Sequence, residues 1–228
     1  MTLPGPSSNE VGFEEWLKWV FDHPVRKPEW YWDDGEDWCE LYGRTKIEFM
    51  IRLFESPTQY LQDFSDAQAE QGFWFLTGAA ALNALSIFLD QNVPWSERKR
   101  CIHSVYSLFA NYFFVRCSRI LVNITKELDP EVNPLNLSCF MWWDQLHAAE
   151  LGDPSATLVN NECVTVMSKI LELNHLACRE SALHGLGHWQ PYCKEKVEAV
   201  IDRFLNENPE LNPNLLAYAR AARTGRIL

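Results

Sequence analysis

The stretch Ala177–Trp189, ACRESALHGLGHW, constrains this chain more than any other part of it. Wound at 3.6 residues per turn, it puts Cys178, Ala182, Leu183, Leu186 and Trp189 on one side and Glu180, Ser181, His184 and His188 in a stripe beside them. The first set predicts a face that packs; the second predicts a face left open for chemistry. The segments on either side also read as helices, so Ala177–Trp189 is expected to be one inner helix of a stack of helical hairpins, not part of a catalytic α/β sheet.

Helical spacing recurs along the chain. Phe13, Trp16, Leu17, Val20 and Phe21 set a first helix that stops at His23-Pro24, and Ile47, Met50, Ile51 and Phe54 set a second from about Arg44 to Phe54. A short helix is expected over Thr58–Phe64. Ser65 and Gln68 have the Ser-x-x-Gln spacing of a capping box, predicting a long helix to about Asp90 whose Gly72, Gly78 and Ala79–Ala81 let a neighbour come close. After Pro94 and a Ser96 cap, the next apolar helix runs through Cys101, Val105, Leu108, Phe109 and Tyr112 toward Lys126. Leu135–Leu151 is expected to be helical in its second half, and Gly152-Asp153-Pro154 to turn. Helices over 161–173, 177–189, 194–206 and 213–223 complete the chain. No run alternates apolar and polar residues long enough to make a strand. The fold class is therefore all-α, built from stacked antiparallel helical hairpins: a frayed arm over 1–10 and one domain over 11–228, with a possible division near 129–134 into 11–128 and 135–228.

From Asn161 to Leu205 the chain resembles a HEAT-type helical repeat. The likeness is carried by an amphipathic helix, a corner at Asn174-His175, and a second helix with Arg179, Ser181-Ala182-Leu183 and Gly185-Leu186-Gly187. It covers about a fifth of the chain. The resemblance implies α-solenoid character in the C-terminal half, a curved surface that binds another macromolecule, and no active site of its own.

Charge divides the chain unevenly. Of a net −11, the segment 1–75 contributes −9, from 15 acids and 6 bases. Its densest part, 29–40, interleaves Glu29, Asp33, Asp34, Glu36, Asp37 and Glu40 with Trp30, Tyr31, Trp32 and Trp38, without one Lys or Arg. Such a surface repels nucleic acid and anionic lipid and attracts a basic protein. Trp30, Trp32, Asp33, Asp34, Glu36, Asp37 and Trp38 are therefore the expected partner-binding residues, with aromatic anchors inside an acidic field. Arg116, Arg119, Arg220, Arg223 and Arg226 are the notable bases; the last three are expected to cap the final helix or neutralise the acidic N-terminal region. The seven Cys form no CxxC pair and read as small buried hydrophobes of a reducing compartment. With no secretory leader pattern and no apolar run long enough to span a bilayer, the expected location is cytoplasmic.

Chemistry has few candidates. Glu180, His184 and His188 are spaced one turn apart, and two His at i and i+4 can share a metal, but H-x-x-x-H lacks the internal Glu of zinc helices. A second cluster, His175 and Cys178, lies across the corner, with Cys178 on the packing face. No metal or other cofactor is assigned. Ser181 sits three residues from His184 without a G-x-S-x-G elbow, Cys163 and Cys178 have no nucleophile signature, and Gly185-x-Gly187 has no P-loop Lys or preceding strand. The expectation is a non-enzymatic protein-binding protein, analogous to bacterial immunity proteins that neutralise a basic toxin, with Glu180, Ser181, His184 and His188 as an alternative binding ridge. The competing expectations are a metal-dependent or hydrolytic enzyme using Glu180, His184 and His188, and a structural adaptor in a larger assembly.

Overall fold

The computed structural model describes residues 11–32, 41, 43–78, 84–123, 132–144 and 154–227, and their regular elements are all helical, with no strand among them. α1 (Phe13–Phe21) turns its expected apolar residues inward, and α2 (Gly43–Glu55) and α3 (Pro57–Leu61) follow. α4 (Asp66–Thr77) opens on the expected capping box: Ser65 Oγ accepts from the Gln68 amide, and Gln68 Oε1 accepts from the Ser65 amide. Gly72 has no Cβ where the Phe21 ring of α1 lies, so the close approach expected there occurs.

Several boundaries differ from the sequence expectation. α4 stops at Thr77, where Gly78 takes extended backbone; residues 79–83, with the expected small residues Ala79–Ala81, lie outside the described residues, and Ala84–Phe88 is a 3-10 turn and not part of an α-helix continuing to Asp90. α5 (Trp95–Leu108) is preceded by Pro94, which puts Ser96 inside its first turn instead of at the cap. The apolar helix continues through a π turn over Phe109–Phe113 into α6 (Phe114–Arg116) and ends there, ten residues short of Lys126. The reason is Asn136: fully buried, its side-chain amide donates to the Ser118 carbonyl at 2.9 Å and accepts from the Ser118 N–H at 2.8 Å, holding both groups off a helical path. Asn136 belongs to α7 (Leu135–Phe140), in the first half of the 135–151 segment; of the second half, which was expected to be helical, residues 145–151 lie outside the described residues.

α8 (Pro154–Leu171) takes in residues 154–160, ahead of the start expected at Asn161, and residues 152 and 153 of the predicted turn lie outside the described residues. α9 (Leu176–Trp189), α10 (Lys194–Glu207) and α11 (Pro213–Ala222) match their expected segments closely. α5 packs between α2 and α8, and α9 is surrounded by α7, α8, α10 and α11. One apolar core runs from Val11 to Ala222, with Phe54, Phe73, Phe109, Phe113, Trp142 and Trp143 meeting across it. Glu162 of α8 ties the helices across the 129–134 division, accepting from Lys99 and pairing with His103 of α5 at 2.8 and 2.7 Å.

Candidate functional site

The stripe on α9 is not open. Glu180 is 1% exposed, Ser181 is fully enclosed and His184 is 2% exposed, and only His188 keeps partial access to solvent. The two-face reading of this helix is thus corrected: α7 and α11 cover the side that spacing left free. Each buried polar group has a partner brought from far along the sequence, as desolvation requires. Ser181 Oγ donates to the Cys139 carbonyl of α7, leaving no free nucleophile. Glu180 accepts from the backbone N–H groups of Val122 and Asn123, at 2.7 and 3.1 Å. Burial raises its carboxyl to about 7, against the lowering effect of those two amides.

His184 stands between Phe140, 4.4 Å away centroid to centroid, and Tyr218 of α11, whose hydroxyl lies 2.7 Å from Nδ1. Burial first, then the neighbouring His188, lowers the imidazole to about 4, so it is neutral at neutral pH. Its Nε2 faces His188 Nε2 at 3.2 Å, and His188 Nε2 lies 3.0 Å from Asp144 Oδ1. Asp144, which sequence reading missed, follows Trp143. Gly185 permits that approach: a Cβ there would come within 2.6 Å of the Trp143 side chain and 2.5 Å of Met167 Sδ. Among the described residues, Asp144, His184 and His188 are the group whose ligand atoms converge, all within 4.8 Å of one another. The third residue is therefore Asp144, whereas Glu180 is engaged by the loop amides.

Tyr218 also lines a cleft of about 350 Å³ with Glu180, Asn123, Asn214 and Arg226. Burial, followed by the charges of Glu180 and Asp144, holds its hydroxyl well above the usual tyrosine range. Across the α8–α9 corner, His175 Nε2 lies 3.2 Å from the Cys117 carbonyl oxygen, and Cys178 is buried as expected. A hydrogen bond with Cys139 is the main influence drawing the Cys178 thiol down, against burial, with His175 adding to it. All six described cysteines are free; five are buried and Cys193 is partly exposed.

At the N-terminal site the expected residues separate. Trp30 is 2% exposed and belongs to the core, packed by His23, Trp19 and Phe75; it cannot serve as a surface anchor. Trp32 is 59% exposed and contacts the flank of Tyr31. Asp33, Asp34, Glu36, Asp37 and Trp38 lie outside the described residues. Arg223 pairs with Asp202 of α10 at 2.6 Å and Arg116 with Asp66 of α4 at 2.6 Å, so the α11 base serves its neighbouring helix and not the acidic N-terminal segment. No helix among the described residues is long and apolar enough to cross a membrane.

No protein-family model, curated protein or solved structure matches this chain.

Proposed function

We propose that this chain is a non-enzymatic, cytoplasmic binding protein for a basic protein partner, of the kind that shields a cell from a basic toxin. The observation that carries the reading is Trp32: a large ring more than half exposed, set against a half-buried Tyr31 that packs in turn on Trp30 and Phe75, at the start of a run holding five carboxylates from Asp33 to Glu40. An exposed aromatic ring beside a run of one sign supplies the two elements of a directed interface, an anchor that slows dissociation and a charge that speeds association. The enzymatic alternative draws less support. Ser181 and Glu180 both spend their polar atoms on backbone groups, which suits a structural role. On this reading α8, α9 and α10 form the HEAT-like part and hold the N-terminal surface in place through the shared core.

The test is affinity capture from the source cells with wild type, Trp32→Ala, and a variant with Asp33, Asp34, Glu36 and Asp37 changed to Asn or Gln. The expected result is a basic protein retained by wild type in low salt, released faster by Trp32→Ala, and captured more slowly, with a flatter salt dependence, by the neutralised variant. Retention of the same protein, unchanged, by both folded variants would move the interface off this surface.

A further inference from the structure

We infer that Asp144, His184 and His188 form a binding site for one divalent transition cation of the zinc type. The spacing of the donor atoms is the first argument. Zinc held tetrahedrally at about 2.0–2.1 Å separates neighbouring nitrogen and oxygen ligands by roughly 3.3 Å, the edge of such a tetrahedron. The observed edges are 3.2 Å between the two imidazole nitrogens and 3.0 Å between His188 Nε2 and Asp144 Oδ1.

Orientation is the second. A metal-bound imidazole keeps its other nitrogen on a hydrogen-bonding partner that fixes the tautomer and the ring plane. His184 has that partner: with Nδ1–H donating to the Tyr218 hydroxyl at 2.7 Å, the Nε2 lone pair is left pointing at His188 and Asp144. Phe140 on one side and the parallel Tyr218 ring on the other prevent the imidazole from turning away.

Rigidity and access are the third. Two ligands are one turn apart on a helix enclosed by four others, and the third follows a tryptophan packed against Gly185. About a third of the Asp144 and His188 side chains remains exposed, so an ion can enter and a water can complete the shell. Two imidazoles and a single carboxylate suit zinc, cobalt or nickel better than magnesium or calcium, which require oxygen donors. Glu180 is excluded from the set because its carboxylate faces Val122 and Asn123.

The experiment is titration of the chelator-treated full-length protein with zinc chloride, followed by calorimetry, and with cobalt chloride, followed by visible absorption. The expected result is one equivalent bound, with the intense d–d bands of low-coordinate cobalt. His188→Ala and Asp144→Asn, the two partly exposed ligands, should each weaken zinc binding at least tenfold while keeping the helical circular dichroism of wild type. Tyr218→Phe should weaken it about tenfold through the loss of the Nδ1 partner, and Glu180→Gln should leave it unchanged. Absence of zinc binding by wild type would overturn the proposal and leave a hydrogen-bonded Asp–His–His cluster. So would undiminished binding by both His188→Ala and Asp144→Asn, or loss of binding in Glu180→Gln with the others unaffected.

Discussion

The imidazole of His23 lies flat on the indole of Trp30, with centroids 3.7 Å apart and planes 6° from parallel, while His23 Nε2 reaches back to the Trp19 carbonyl at 2.6 Å. This stack closes the N-terminal aromatic base and leaves Trp32 as its projecting member. The two tryptophans should therefore respond differently to the same change. Trp30→Ala empties a buried site and should cost about 3–5 kcal/mol of stability. Trp32→Ala should stay within roughly 0.5 kcal/mol of wild type. Urea denaturation of both variants decides it; equal losses would mean that Trp32 is packed in solution.

Glu180 should leave a mark on the pH dependence of stability. Its carboxyl titrates near 7 in the folded protein against 4.5 ordinarily, so folding favours its protonated form. That contribution is complete below about pH 4.5 and is lost as pH rises through about 7, by an amount on the order of 3 kcal/mol. In chelator-containing buffer, the stability of Glu180→Gln minus that of wild type should accordingly rise from pH 4.5 to 7 and level off above it. A flat difference would show that the amides of Val122 and Asn123 fully offset burial.

Gly185→Ala should destabilise the fold by about 1–3 kcal/mol, because the added methyl meets the base of the Trp143 side chain, which cannot swing aside as a flexible tip would. Thermal melting measures it. A melting temperature at or above that of wild type would mean that the 141–144 turn yields readily.

Asn136→Ala should unfasten the segment after α6. It leaves the Ser118 N–H without its acceptor at a half-buried position and takes from the Ser118 carbonyl one of its two donors, the other being the Ile120 N–H, at a cost of roughly 1–3 kcal/mol. Hydrogen exchange of the 118–123 amides should accelerate more than that of α9. Uniform acceleration would indicate a global effect alone.

Local helix formation was readable wherever nearby residues decide it. Phe13–Phe21 and the 194–206 segment carry their periodicity within a few residues, the Ser65/Gln68 box and the 213–223 segment add a local cap, and the helices lie there. Failures arose where a distant group decides. Asn136 ends a helix that its own sequence would prolong, and the surroundings of Glu180, Ser181 and His184 come from the 122–123 loop, Cys139 and Tyr218. A stripe of polar residues on a helix has the same spacing whether water or buried partners satisfy it, so burial of the stripe could not be read from α9 alone. Asp144 was missed for a related reason: nothing near it in sequence marks it as a neighbour of His188. Trp30 and Trp32 form one motif on paper, and only the 3-10 turn that carries them sends one ring inward and the other outward.

The π turn at Phe109–Phe113 has a bearing on how this chain can vary. It holds one residue more than an α-helical turn, and each helical residue advances the direction of the next by about 100°. Deleting one of the five would restore a plain helix, but it would also swing Arg116 by that angle away from Asp66 and shift Ser118 out of reach of Asn136. Changes of side chain are open to this segment, while a change of length is not: a one-residue gap or insertion within 109–113 should be selected against as firmly as the loss of a core residue.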